Sequence, residues 1–271
     1  GIEIAKAMES MGRIISLNHV DVDITDEEKI SKIIKELAPV FVINTAAFHN
    51  VEECERNPEK SYRVNAVGAY YVAHAAALSG AAVIHISTDY VFGNSKKSYK
   101  ETDCPAPLNV YGASKLAGEQ LTAFVNPKHY IIRTSALFGP HQSCKGHNFV
   151  TLMLQRAQEG AEIRIVDDQY TAPTYAPDLA EKIKELIIKE ASFGTYHITN
   201  SGSCSWYEFA KTIFELAQIQ PYCMPVSMRF MSDVARRPRS TILLNAAIEK
   251  TGIFLMRSWK DALKDFFDNY L

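Results

Sequence analysis

The feature that most limits how this chain can fold is the run Val83-Ile84-His85-Ile86, which passes without a break into Ser87-Thr88-Asp89-Tyr90-Val91-Phe92-Gly93. A short run rich in β-branched residues, with no alternating polar face, predicts a strand covered on both sides. Such strands belong to parallel sheets with helices above and below. Open sheets of that kind bind ligands beyond the carboxyl ends of their strands, so the Ser-Thr-Asp that closes the run is expected at a site. Further on, Tyr111-Gly112-Ala113-Ser114-Lys115 predicts the start of a helix. Residues four apart on a helix share a face, so Tyr111 and Lys115 can act on one spot. With a strand-end hydroxyl beside them they form a proton-donating site. Thr88 would hold a carbonyl oxygen, Tyr111 would protonate it, and Lys115 would lower the phenol pKa. A second Tyr-x-x-x-Lys, at Tyr207 and Lys211, has no strand-end threonine ahead of it and reads as an ordinary helix face.

The rest of the chain alternates strand and helix in the same way. Ile2, Ile4, Ala5, Met8 and Met11 give a helical stripe that Gly12 stops, and Arg13 to Leu17 reads as a strand. Thr25-Asp26-Glu27-Glu28 has the form of a capping box ahead of the stripe Ile30, Ile33, Ile34 and Leu37, and Val40 to Ile43 is another buried strand. Asn57-Pro58 opens a long helix that carries Tyr62, Asn65 and Ala66 toward the sheet. Tyr130 to Thr134, Ile163 to Val166 and Gly194 to Thr199 are further strands, with helices from Asn148, from Pro177, from Ser205 and from Ser258. This pattern predicts an α/β fold: a Rossmann-like, doubly wound parallel sheet with a smaller α/β substrate-binding lobe. The expected division is residues 1–138 plus 163–192 for the dinucleotide-binding domain and 139–162 plus 193–271 for the second lobe, interleaved. A Rossmann unit sets a strand and a Gly-rich turn before its first helix. The expectation is therefore that Gly1 is the last glycine of such a turn and that roughly 15 to 20 further residues precede it.

Composition narrows the function. Lys and Arg number 29 against 31 Asp and Glu, so no basic field draws the 271-residue chain to nucleic acid or an anionic membrane. No apolar run approaches the roughly 20 residues of a membrane span. The five cysteines, Cys54, Cys104, Cys144, Cys204 and Cys223, have no ligand spacing, which fits reduced thiols in a cytoplasm. The eight histidines form no metal pattern.

The Ser87 to Phe92 segment, the Pro-containing loop after it and Tyr-Gly-Ala-Ser-Lys together resemble the extended short-chain dehydrogenase/reductase family, and within it the dTDP-4-dehydrorhamnose reductases. The resemblance implies reduction of the 4-keto group of a dTDP-6-deoxyhexose by NADPH or NADH, with Thr88, Tyr111 and Lys115 catalytic. It places Gly1, Asp23, Ile24, Ala46, Ala47, Phe48 and Ile86, with Tyr111 and Lys115, along the dinucleotide. It places Thr88, Asp89, Tyr90, Ala136, Asn148 and Arg237 around the nucleotide sugar. Arg237 lies in the segment Ala235 to Ser240, where a planar guanidinium suits a diphosphate. Two departures stand out: Ala136 occupies a position where the family usually carries an aromatic ring, and the segment Pro140 to Gly146 is longer than expected. A homodimer, bridged in some relatives by magnesium, is also within the resemblance, although no local carboxylate pattern supports the metal. Two other readings stay open: an epimerase or dehydratase acting on a nucleotide sugar, and a non-catalytic regulatory subunit of the methionine adenosyltransferase beta type.

Overall fold

The computed structural model describes residues 1–141, 146–160, 162–230 and 234–271. Four parallel strands, Phe41–Asn44, Ala82–Thr88, His129–Thr134 and Gly194–His197, lie side by side in that order. Side chains alternate across a strand, and the Thr88 strand divides its residues accordingly. Ile84 and Ile86 pack with Ile4 and Met8 of the helix Ile2–Met8 and with Leu179 and Ile183 of the helix Ala176–Ile188. Val83 turns the other way, onto Ala73 and Ala76 of the helix Ala69–Leu78. Helices therefore cover both faces, as the uninterrupted apolar run requires, and the sheet is doubly wound.

The smaller lobe is built on the strand Ile163–Val166, paired in parallel with Cys223–Val226. The helices Phe149–Gln158, Trp206–Leu216 and Trp259–Tyr270 bring Val150, Phe209, Ile213, Leu263 and Phe266 into its core. Each such side chain, fully buried, contributes about 1.5–3 kcal/mol over its exposed state. Ser205 and Glu208 close a reciprocal capping box at the start of one helix, and Asn148 and Thr151 do the same at another.

The structure departs from the sequence reading at several places. Arg13 to Leu17 forms no strand: its residues are exposed, and the edge of Phe41–Asn44 turned away from Ala82–Thr88 has no ladder partner among the described residues. A strand is held by its ladder, and β-branched residues alone do not make one. The cap of the helix Glu27–Leu37 is Asp26, whose carboxylate accepts from the Lys29 amide, while Thr25 bonds to Asp23 instead. Tyr62 is 40% exposed and does not face the sheet, unlike Asn65 and Ala66, which are buried. The lobes also divide differently at two strands. Gly194–His197, expected in the second lobe, pairs with His129–Thr134 in the main sheet, and Ile163–Val166, expected in the first, pairs with Cys223–Val226. Strands of only four residues carry too little pattern to assign them to either lobe, and only the partner strand tells them apart. Part of the Pro140 to Gly146 segment, with Cys144, lies outside the described residues.

Candidate active site

The Thr88 strand ends at the carboxyl edge of the main sheet, where Asp89–Val91 makes one tight turn. The helix Val110–Val125 then lies against that turn. Asn109 caps it, its side-chain oxygen accepting from the Gly112 amide at 2.8 Å and its Nδ2 donating to the Arg236 carbonyl. What brings the helix so close is Gly112. A Cβ there would stand 2.1 Å from the Tyr90 carbonyl oxygen, so only glycine lets the first turn pack on the Tyr90 backbone. Gly118 does the same one and a half turns later, against the Asn65 carbonyl. Ser114 hydrogen-bonds Ser61 and Asn65, and Asn65 in turn holds both the amide and the carbonyl of Phe48. One helix thus locks the strand end, the long helix and the small-residue turn into a single frame.

In that frame Thr88 stands near enough to Tyr111 to act on its phenol, while its own hydroxyl donates to Asp89 at 3.1 Å, and Tyr90 meets the Tyr111 ring edge-on at 6.0 Å. Lys115 is 2% exposed. Its Nζ donates to the Ile86 carbonyl at 2.6 Å and lies 3.4 Å from His85 Nε2. The sequence reading expected Lys115 to lower the Tyr111 pKa, and here the structure differs. Burial pushes the phenol well above its ordinary range, with the polar Thr88 side chain the main influence in the other direction. Lys115 is pushed down to about 8, first by burial and against the attraction of Glu119. The ammonium is turned to the strand carbonyl and to His85, which explains why its charge is not spent on the phenol. Asp89, also buried, is pushed up to about 7 by burial, against hydrogen bonds from Thr241 and Thr88.

The predicted residues fall into three groups. Thr88, Asp89, Tyr90, Tyr111 and Lys115 come together at the strand end. Asp89, however, has both oxygens engaged, accepting from Thr88 at 3.1 Å and from Thr241, so it fixes the site's walls through those partners. Arg237 reaches the same corner, pairing with Glu52 and carrying its charge close to Tyr90. A second group, Gly1, Ile86 and Asn148, lines a cavity of about 290 Å³ with Thr45 and Leu137. A Cβ on Gly1 would meet Thr45 Oγ1 at 3.1 Å, so the start of the first helix sits closely against the small-residue turn. A helix start and a turn that begins with the small residues Thr45, Ala46 and Ala47 suit the phosphates and ring of a dinucleotide. Ala46, Ala47 and Phe48 follow Thr45 in that turn. The third group stands apart in its local contacts: Asp23 bonds Thr25, and Ile24 packs over Gly68. Asn148 also caps its helix and donates to the Gly139 carbonyl. Ala136 adopts φ 41°, the left-handed region.

Sequence reasoning missed Glu52, Gln169, Thr241 and, above all, His85. The last carried a signal, since it is the one polar side chain inside the run Val83–Ile86.

Comparison with known proteins gives a consistent picture. The family model described as RmlD substrate binding domain matches residues 1–271. The spore coat polysaccharide biosynthesis protein SpsK of Bacillus subtilis (strain 168) is 37% identical over 98% of this chain and 92% of its own length. A dTDP-4-dehydrorhamnose reductase of Aggregatibacter actinomycetemcomitans is 36% identical over 98% of this chain and 94% of its own. Among solved structures, a dTDP-4-dehydrorhamnose reductase of Bacillus anthracis in complex with NADP superposes with a TM-score of 0.91 at 38% identity, covering 99% of this chain and 93% of that one.

Proposed function

The chain belongs to the family of the RmlD substrate binding domain, and from that premise we propose that it reduces the 4-keto group of dTDP-4-dehydrorhamnose with NADPH, giving dTDP-rhamnose. The observation that carries the reading is the close packing of the helix Val110–Val125 on the strand end through Gly112, which sets Tyr111 beside Thr88 at the carboxyl edge of the sheet, with Lys115 one turn along the same helix.

NADPH supplies the hydride when bound. The residues that would hold it are Gly1, Thr45 and Ile86, with the turn Ala46 to Phe48. The chain's own residues manage the oxygen. As hydride reaches the ketone carbon, negative charge gathers on oxygen, where the Thr88 hydroxyl donates a hydrogen bond and Tyr111 transfers its proton. Burial keeps Tyr111 protonated until that moment, which is what a donor requires. Lys115, held near 8, is able to return a proton to the phenolate afterwards. Arg237 and Tyr90 stand at the same end of the sheet, ready for the sugar and its diphosphate. Assembly as a homodimer in the cytoplasm completes the reading, supported by the family resemblance.

The test uses the full-length gene product with NADPH and the 4-keto sugar nucleotide, following nicotinamide absorbance. Tyr111→Phe is expected to lose nearly all turnover while retaining cofactor binding. Undiminished turnover in that variant would refute the assignment.

A further inference from the structure

Behind Lys115 lies a line of buried polar groups that the mechanism above does not use. The Ala46 amide donates to Asn44 Oδ1 at 3.0 Å, the Asn44 side-chain nitrogen lies 3.4 Å from His85 Nδ1, and His85 Nε2 lies 3.4 Å from Lys115 Nζ. Asn44 is 5% exposed and His85 1%, so water does not satisfy these atoms. The direction of the line is set at its far end. Because Oδ1 accepts from the Ala46 amide, the Asn44 amide nitrogen must face the imidazole, and exchanging the two would set an NH₂ against an N–H. The amide donates to Nδ1, which therefore presents a lone pair. A neutral imidazole has one hydrogen, and it is left on Nε2. The doubly protonated ring is disfavoured, since burial and the charge of Lys115 both hold His85 well below its ordinary range.

We propose that His85 is a positioning residue for Lys115: held from behind by Asn44, its ring turns an N–H toward Nζ and so favours the neutral amine over the ammonium. A neutral Nζ accepts from His85 and donates to the Ile86 carbonyl at 2.6 Å, satisfying both neighbours. An ammonium has no lone pair for the ring. The other ionisable groups around Lys115 do not reverse this. Glu119, one turn along the helix, favours the ammonium, but its carboxylate is taken by Arg133 through three contacts of 2.7 to 3.1 Å and by Ser87. Asp89, Tyr90 and Cys54 act on Tyr111. Burial already lowers Lys115 to about 8 against the attraction of Glu119, and the ring hydrogen acts in the same direction. A lysine poised there both gains and loses its proton readily, where a lysine at its ordinary value would hold it. That last consequence rests on the function proposed above, whereas the ring hydrogen and the Lys115 titration do not.

The experiment is therefore made on the ligand-free protein. With ¹⁵N-histidine labelling, the His85 ring, identified by its loss in His85→Gln, is expected to carry its hydrogen on Nε2 at neutral pH. The Lys115 titration, read by pH-dependent acetylation of that residue, is expected to move up by about one pH unit or more in His85→Gln. There an amide oxygen can accept from the ammonium. His85→Phe, which offers no acceptor, is expected to show no such rise. A space-filling role would leave the midpoint the same in both variants, and that result, or an Nδ1-protonated ring in the parent protein, would overturn the proposal. If either variant fails to fold, His85→Asn supplies the ring assignment and the position of the parent ring's hydrogen decides the matter. Loss of ketone reduction with these results intact would count against the proposed function only.

Discussion

Gly112→Ala isolates the contact on which the site's geometry depends. The added Cβ would stand 2.1 Å from the Tyr90 oxygen, 2.9 Å from the Tyr90 carbonyl carbon and 3.1 Å from Pro107 Cβ. Two of these neighbours are backbone, so no flexible side chain can give way. To reach the 3.0 Å below which such contacts are essentially never found, the helix start must retreat by about 0.9 Å. Overpacking of this kind costs about 1–3 kcal/mol, against which the better helix propensity of alanine returns about 1 kcal/mol. At about 2–4 °C per kcal/mol for a chain of this size, melting should fall by a few degrees only. Turnover should fall much further. A misplacement of about 1 Å between reacting groups costs roughly 100-fold, and Tyr111 moves with the helix start while Thr88 stays on the strand. Gly118→Ala provides the comparison, with an equal 2.1 Å overlap on Asn65 but farther from Tyr111. It should lose as much stability and less turnover. Thermal melts and initial rates on both variants read the difference. Near-normal turnover in Gly112→Ala, with melting lowered, would show that the Thr88–Tyr111 spacing does not limit the reaction.

Three further outcomes follow from buried polar groups and one strained residue. Asp89 titrates near 7 in the folded chain and near 3.8 in the unfolded one, so between those values the folded state holds the extra proton. Stability from this group falls as pH rises through that window, by at most about 4 kcal/mol. Asp89→Asn should therefore gain on the parent protein more at about pH 8 than at about pH 5, and urea midpoints giving an equal gain at both would refute this. Glu119→Gln leaves Arg133, 5% exposed, without its carboxylate and should cost about 3–5 kcal/mol. Replacing both residues by apolar ones of similar volume should cost much less, as calorimetry can determine. Ala136→Gly relieves a left-handed residue at φ 41° and should raise stability by about 0.5–1 kcal/mol, since the Thr174 amide still reaches the 136 carbonyl. A fall in melting temperature would mean that the Ala136 methyl packs usefully.

The elements of the site were legible in the sequence because each rests on a local rule. Val83 to Thr88 had to be a covered strand with polar residues at its end, and Tyr111 and Lys115 had to share a helical face. What could not be read was the direction of each side chain within that frame. Lys115 points to the Ile86 carbonyl and His85 because a buried ammonium or amine takes the nearest acceptor, and those partners lie 29 and 30 residues earlier on another element. Asp89 looked like a wall of the sugar pocket, but Thr241, far along the chain, claims one of its oxygens. The expected strand at Arg13 to Leu17 failed for a similar reason, because its β-branched residues find no neighbour among the described residues. The second Tyr-x-x-x-Lys behaves as expected, on the helix Trp206–Leu216 with Lys211 exposed. Spacing alone did not distinguish the two copies, whereas the strand ending beside the first did.

The environment of Tyr111 suits one direction of proton transfer better than the other. A phenol raised by burial is a weaker acid, which argues against it as a donor only if the acceptor is water or a neutral carbonyl. In ketone reduction the acceptor is the alkoxide left by hydride transfer, a far stronger base than a phenolate, so the transfer is downhill even from a raised phenol. The same burial that weakens the acid keeps it fully protonated before hydride arrives. Were the physiological reaction the oxidation of an alcohol, Tyr111 would have to start as phenolate, and in its present surroundings only Thr88 favours that charge, while burial, Asp89, Cys54 and Tyr90 oppose it. The prediction is a marked asymmetry in pH dependence. Reduction rates should stay level through neutral pH, whereas oxidation of the product alcohol should rise with pH as the phenolate fraction grows, levelling only once the phenol is ionised. Initial rates in the two directions, measured over the same pH range with saturating cofactor, test this, and parallel profiles would mean that bound cofactor resets the phenol completely.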